Sequence, residues 1–194
     1  MPDMGRWEPN ARGRLERAAL ELYVERGYER TSVAEIAERA GLTERTFFRH
    51  YADKREVLFA GSSALQELLV DAVARAPEPA TPMEAVAAAL DAAAAMLQER
   101  QEHARRRQAV IAANAELQER ELIKLASLSA ALADALRQRG VDDAFAGLAA
   151  EAGIAVFKIA FRRWTEQTGQ TGQKDLSQFI GESFAGLKAM TAGT

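Results

Sequence analysis

Apolar residues recur at helical spacing along nearly the whole chain, and the two-residue alternation of a half-buried strand appears nowhere in the 194 residues. Leu15, Ala18, Ala19, Leu22 and Tyr23 fall at i, i+3, i+4, i+7 and i+8, which predicts a first helix of roughly 17 residues. Gly27 is expected to end it as a left-handed C′ residue, with Tyr28 folding back as the apolar partner of that cap. Ser32 followed three residues later by Glu35 is a capping box. Val33, Ile36, Ala37 and Ala40 then mark a helix of about two turns that Gly41 stops. Thr43 caps a third helix over Glu44 to Tyr51, and Asp53 with Glu56 reads as the capping box of a fourth. That fourth helix runs through Val57, Leu58, Leu65, Leu69 and Val73 until the three prolines of residues 76–82 break it.

The remainder repeats the pattern. Thr81, Pro82 and Glu84 supply N-cap, N1 proline and N3 carboxylate for an Ala-rich fifth helix. A short sixth covers Glu102 to Ala113, and a seventh carries Leu122, Leu125, Leu128, Leu132 and Leu136 up to Gly140. The eighth spans Asp142 to Thr168, and the ninth is marked by Leu176, Phe179, Ile180, Ser183, Phe184 and Leu187. The expected fold is all-α: a three-helix helix-turn-helix domain over residues 10–55, then a bundle of about six helices over 56–194. Residues 1–9 show no periodicity and are expected to form a frayed arm, from which Arg6, with Arg12 and Arg14, could reach DNA phosphates.

The chemistry concentrates between Thr31 and Arg55. At 100° per residue Phe47 and Tyr51 share one side of the third helix, and Arg45 and Arg49 fall opposite, beside Thr46 and Phe48. A basic pair four residues apart is ordinarily a solvated face. Here hydroxyls at Thr31 and Ser32, the imidazole of His50 and the helix start near Lys54 and Arg55 surround it, which suits phosphate contacts around a groove-reading helix.

Charge sharpens this expectation. The net charge is −3, so affinity for DNA must come from a local patch. Residues 1–55 hold 11 Lys/Arg against 10 Asp/Glu, and the rest hold 14 against 18. DNA binding is therefore expected to depend strongly on salt. With no cysteine, the chain has no disulfide framework, thiolate nucleophile or cysteine-based zinc site, and no metal or other cofactor is expected. The N-terminus lacks a secretory pattern and no uninterrupted apolar run reaches about 20 residues, so a cytoplasmic location away from membranes is expected.

Gly27-Tyr28, Thr31-Ser32-Val33 with Ile36-Ala37, Gly41-Leu42-Thr43, Thr46-Phe47-Phe48-Arg49-His50-Tyr51 and Asp53-Lys54 together resemble the DNA-binding domain of the TetR family of bacterial regulators, across roughly residues 10 to 60. The resemblance implies base or groove contacts by Thr43, Glu44, Arg45, Phe48 and Arg49, and phosphate contacts by Thr31, Ser32, His50 and Lys54. One position departs: Phe48 stands where the family commonly has Tyr, which removes a hydroxyl and leaves an apolar surface. The resemblance also implies a homodimer on a palindromic operator in double-stranded DNA, a ligand-relieved repressor, and a small-molecule pocket among the fifth to eighth helices.

Candidate pocket residues are Met96, Leu97, His103, Ile111, Asn114, Leu125, Phe157, Phe161 and Trp164, whose bias favours an apolar or aromatic effector. Small residues beside large ones in the last two helices suit close helix packing. On periodicity they serve equally to close the protomer's own core, and the resemblance assigns Ala150, Gly153, Phe179, Ile180, Ser183, Phe184 and Leu187 to a dimer seam. Arg105, Arg106 and Arg107 cannot share one helix face. They are expected to be solvated or paired with Glu99 or Glu102, with one available to anchor an acidic effector or the fourth helix.

Two other classes compete. An enzyme would need a catalytic constellation, and the sequence offers two histidines, no phosphate-cradling Gly loop and no nucleophile elbow. A helical protein-protein interaction adaptor that keeps the fold without an operator is the remaining alternative.

Overall fold

The computed structural model describes residues 10–167 and 173–191. Among these are nine α-helices: α1 (Ala11–Arg26), α2 (Val33–Arg39), α3 (Glu44–His50), α4 (Ser62–Arg75), α5 (Pro82–Leu97), α6 (Gln101–Ala112), α7 (Ala115–Gln138), α8 (Asp143–Glu166) and α9 (Leu176–Thr191). Two 3-10 turns, Glu56–Phe59 and Gln98–Arg100, interrupt the course. The predicted arm over residues 1–9, Arg6 included, and the predicted end of the eighth helix at Thr168 lie outside the described residues.

The helix starts follow the caps. Ser32 accepts from the amide of Glu35 while the Glu35 carboxylate accepts from the amide of Ser32, and Thr81 with Glu84 does the same at α5. Thr43 caps α3 and Asp142 caps α8. Gly27 ends α1 at φ 89° and ψ 151°, a mirror-extended conformation in place of the expected left-handed helical one, and still one that favours glycine.

Two apolar cores form. The first gathers Leu15, Leu22 and Tyr23 of α1, Ile36 of α2, Phe47 and Tyr51. It extends past the expected boundary at residue 55 to take in Val57, Leu58 and Phe59, and it is completed from the other domain by Val110 and Ile111 of α6 and Leu117 of α7. The continuous fourth helix predicted from Glu56 is instead a 3-10 turn and then α4, because Val57, Leu58 and Phe59 face this head core before the chain turns into the bundle.

The second core belongs to α4, α5, α7, α8 and α9, with Ala104 of α6. Helix α8 is its axis and packs against α5, α6, α7 and α9. With a mean hydropathy of 1.7 over its most apolar stretch, α8 is, like the Glu56–Arg75 segment, long and apolar enough to cross a membrane, although Lys158 interrupts its apolar run. Its buried face is nevertheless taken up by protein. Ala85, Val86, Ala89, Ala93 and Ala94 make α5 slim, so α8 approaches closely: a Cβ added to Gly153 would lie 2.3 Å from Cγ1 of Val86.

This packing turns five of the seven expected seam residues into the protomer's own core. Ala150, Gly153, Phe179, Ile180 and Phe184 are buried within the protomer, Leu187 packs against the same core, and the Ser183 hydroxyl donates to the Phe179 carbonyl at 2.8 Å. Helical periodicity finds an apolar stripe without saying what covers it, and here the strongest stripes cover one another. The exposed apolar side chains of α8 are Phe145, Leu148 and Ile159, with Ala144 and Ala155 also exposed; on α9 they are Ala185, Ala189 and Met190, beside Gly181. Leu122, predicted on the inner stripe of α7, is likewise exposed.

Candidate nucleic-acid interface

Helix α3 is held by the side it buries. Phe47 is fully buried, and its ring meets those of Phe48 and Tyr51 at 5.5 and 5.6 Å. The Tyr51 hydroxyl donates to Glu16 at 2.8 Å and accepts from Arg12 at 3.2 Å, while Arg12 also donates to the Ala60 carbonyl. Burial, then the hydrogen bond to Glu16, pushes the Tyr51 phenol up, so it stays a proton donor. Arg14 donates to the Ala40 carbonyl beside Gly41, whose φ of +64° makes the turn into α3. Arg12 and Arg14 are thus engaged by groups of the head itself, where the sequence suggested phosphate contacts, with the Arg12 side chain still half exposed. Local charge pairing with a nearby carbonyl or carboxylate outcompetes an extended reach.

On the other side of α3, Glu44, Arg45, Phe48 and Arg49 are all exposed, and they occupy a continuous arc of about 140° in the order Glu44, Phe48, Arg45, Arg49. Among the described residues Arg45 and Arg49 have no ion-pair or hydrogen-bond partner, unlike Arg26, Arg39 and Arg55 nearby, which pair with Glu35, Glu25 and Asp53. His50 is also exposed, and the Thr43 hydroxyl is shared between the Thr46 amide and hydroxyl. Two fork-shaped donors without intramolecular acceptors, on a helix fixed from behind, suit bidentate contacts to guanine or phosphate.

The flanking residues divide. The Ser32 side chain is exposed but serves Glu35, whose carboxyl is held below the usual carboxylate range by the Ser32 amide and hydroxyl. Thr31 is buried and donates to the Gly27 carbonyl at 2.9 Å, so its hydroxyl does not face solvent. The Lys54 ammonium donates to the carbonyls of Tyr28 and Thr31 at 2.9 and 3.0 Å, and lies 4.3 Å from the centre of the Tyr28 ring. The expected phosphate contacts of these two side chains are therefore corrected to internal ones. The expected anion site at residues 53–56 is also filled: Asp53 itself accepts from the amides of Arg55 and Glu56. The Glu56 carboxylate does not return to Asp53. It is drawn away by Arg120 and Lys124 of α7.

That last contact belongs to a polar junction between head and bundle, which periodicity could not reveal because the partners it joins across the two lie 48 to 68 residues apart. Arg107 donates to the Leu58 carbonyl at 2.6 Å, lies 4.9 Å from the Phe59 ring centre and faces Glu121 at 3.6 Å. Burial works against its charge and Glu121 offsets this. Arg55 reaches Glu116 at 2.9 Å. Of the arginine triplet, Arg105 pairs with Glu102 as expected and Arg107 is the anchor of the segment leading to α4.

The expected pocket residues separate into groups. His103 lines a cleft of about 190 Å³ between α1 and α6 with Glu16, Arg17 and Arg106, and Asn114 lines a groove of about 370 Å³ with Tyr23, Tyr28 and Val110. Burial, then the nearby Arg107, lowers the His103 pKa. Ile111 is buried in the head core, and Met96 is 36% exposed. Only Leu97, Leu125, Phe157, Phe161 and Trp164 meet in the bundle. The split arises because α6 serves both cores, Ala104 facing the bundle and Val110 and Ile111 the head. Phe157, Phe161 and Trp164 form a ladder with ring centres 5.6 and 5.7 Å apart, and the buried Trp164 Nε1–H has no acceptor among the described residues. An unpaired buried donor is costly, on the order of 1–3 kcal/mol.

Comparison with known proteins agrees with this architecture. Residues 16–60 match the model of bacterial regulatory proteins of the tetR family, and residues 80–192 match the MftR C-terminal domain. The HTH-type transcriptional regulator TcmR of Streptomyces glaucescens is 42% identical over 81 residues, covering 42% of this chain and 36% of TcmR. The aligned stretch thus spans little more than a third of that relative. Among solved structures, a protein of Pseudomonas aeruginosa PAO1 described as a transcriptional regulator superposes with a TM-score of 0.66 at 21% identity, covering 97% of this chain and 94% of its own. The complex of triclosan with SmeT, the repressor of the Stenotrophomonas maltophilia multidrug efflux pump SmeDEF, gives 0.62 at 20% identity over 91% and 90% of the two chains. At those identities the two structures establish a shared fold. With a reading head and a bundle each matched by its own model, the chain belongs to the tetR family of bacterial regulatory proteins.

Proposed function

We propose that this protein is a dimeric, DNA-binding transcriptional repressor that binds a palindromic operator in the bacterial cytoplasm and is released by an apolar or aromatic small molecule. The observation that carries the reading is the exposed arc of α3, where Arg45 and Arg49 lack internal partners on a helix anchored by Phe47. Each arginine is suited to a guanine edge or a phosphate. Groove and phosphate contacts are assigned to Glu44, Arg45, Phe48, Arg49 and His50, with Thr43 and Ser32 fixing the helix starts.

A second copy is assigned to the outer stripe of α8, Phe145, Leu148, Ala155 and Ile159, together with the small outer face of α9 at Gly181, Ala185 and Ala189. These positions combine exposed apolar area with room for close helix approach, and twofold symmetry lets two α3 helices read half-sites about 34 Å apart. The effector is assigned to the ladder of Phe157, Phe161 and Trp164, where the unpaired indole N–H offers one polar contact in an apolar setting. The triclosan complex of SmeT is a precedent for such a ligand within this fold. The junction of Arg107 with Leu58 then gives the bundle a route to the head, by a shift between DNA-competent and incompetent populations.

Gel-shift titration against duplexes from the gene's own flanking DNA tests the reading. Arg45→Ala and Arg49→Ala should each weaken binding by about 1–3 kcal/mol if the residue pairs with a base. Unchanged binding in both variants would refute the groove assignment, and no binding by the wild type would favour the adaptor role.

A further inference from the structure

Phe48 is the anomaly of the reading face. Its neighbours on the arc are Glu44, Arg45 and Arg49, all charged, yet its ring is 55% exposed. The ring is edge-on to Phe47, at 5.5 Å and 81°, and Phe47 is immobilised in the head core. Phe48 therefore presents an apolar surface to solvent while resting edge-on against a buried ring, between a carboxylate and two guanidinium groups on the arc.

In a major groove the base edges present hydrogen-bonding atoms with one exception, the 5-methyl group of thymine. An apolar ring between two guanine-seeking arginines and a carboxylate suited to cytosine N4 has one complementary feature to meet there. We propose that Phe48 reads the 5-methyl group of a thymine adjacent to the base contacted by Arg45, so that the half-site contains a thymine selected by shape and apolar contact. The inference rests on the DNA-binding reading above and specifies what one position of that site selects. Because the contact is apolar, selection here is lost when the methyl is lost, even though every hydrogen-bonding atom of the base pair remains.

The test uses the full-length protein. High-affinity duplexes are enriched from a random library, and each thymine of the enriched duplex is replaced singly by deoxyuridine, which removes only the methyl group. One thymine in each half-site should respond with about a four-fold loss of affinity, the expected worth of one buried methyl. Phe48→Ala should abolish that response and Phe48→Tyr should keep it, while Arg49→Ala should lower affinity for both duplexes and leave their ratio intact. Phe48 is exposed, so these variants are expected to fold, which thermal melts verify. The proposal is overturned if no thymine responds, or if the response survives in Phe48→Ala. Failure to enrich any duplex would instead remove the DNA-binding reading, and this inference with it.

Discussion

The reading head and the bundle behind it use helices in opposite ways. In the head α2 and α3 are seven residues each, and caps, a glycine turn and one buried aromatic decide where each residue points: Ser32, Thr43, Gly41 and Phe47 orient them with little freedom left. In the bundle the helices are long and rich in alanine, and apolar residues lie on more than one face of α8. A polar residue marks the outside over most of the head, with the exposed Phe48 and the buried Thr31 among the exceptions. In the bundle an apolar residue marks either the core or a surface for a second copy, and sequence spacing alone cannot distinguish them.

The strongest break of this comparison is to disturb the two faces of α8 separately. Trp164→Ala should cost the protomer about 3–5 kcal/mol by chemical denaturation, because it empties a fully buried site. Phe145→Asp with Leu148→Asp should leave the protomer's unfolding nearly unchanged, since both side chains are exposed, and shift sedimentation to the monomer. Equal loss of folding stability in both variants would mean that the outer stripe also belongs to the protomer's core.

The legibility of the sequence follows the same division. Boundaries of α2, α3 and α5 were readable because Ser32-Glu35, Thr43 and Thr81-Glu84 are local signals satisfied within a few residues. The arc of Arg45, Phe48 and Arg49 followed from spacing once Phe47 was placed inside. Thr31 and Lys54 were misassigned because a hydroxyl or ammonium near a helix start has two kinds of partner, and here backbone carbonyls of the Gly27–Thr31 loop are nearer. Periodicity leaves Ala150, Gly153, Phe179, Ile180 and Phe184 open between core and seam, because stripe strength measures burial without naming the partner, and in the protomer all five are core. The junction of Glu56 and Arg107 with the opposite domain was invisible, since it joins segments far apart in sequence.

That junction sharpens the comparison at smaller scale. Hydrogen bonding from Arg120 first, then desolvation against it and Lys124 beside it, leaves the Glu56 carboxyl below its usual range. A carboxyl depressed on folding contributes stability above its unfolded value, about 4.3, and loses it as pH falls through the folded value. The Glu56 side chain is 22% exposed, so solvent screens part of the effect. Urea melts of wild type and Glu56→Gln should differ modestly at pH 7 and converge as the pH drops below about 4. A difference that persists undiminished at pH 3 would show that the ion pairs with Arg120 and Lys124 are not its source.

The central claim is that two copies of α3, held apart by the bundle, occupy neighbouring turns of one face of a duplex. Hydroxyl-radical footprinting on an enriched duplex tests it directly. The account predicts two protected half-sites related by inverted symmetry, with centres about 34 Å apart. A single unsymmetrical footprint, or protection unaffected by combining Arg45→Ala with Arg49→Ala, would contradict it.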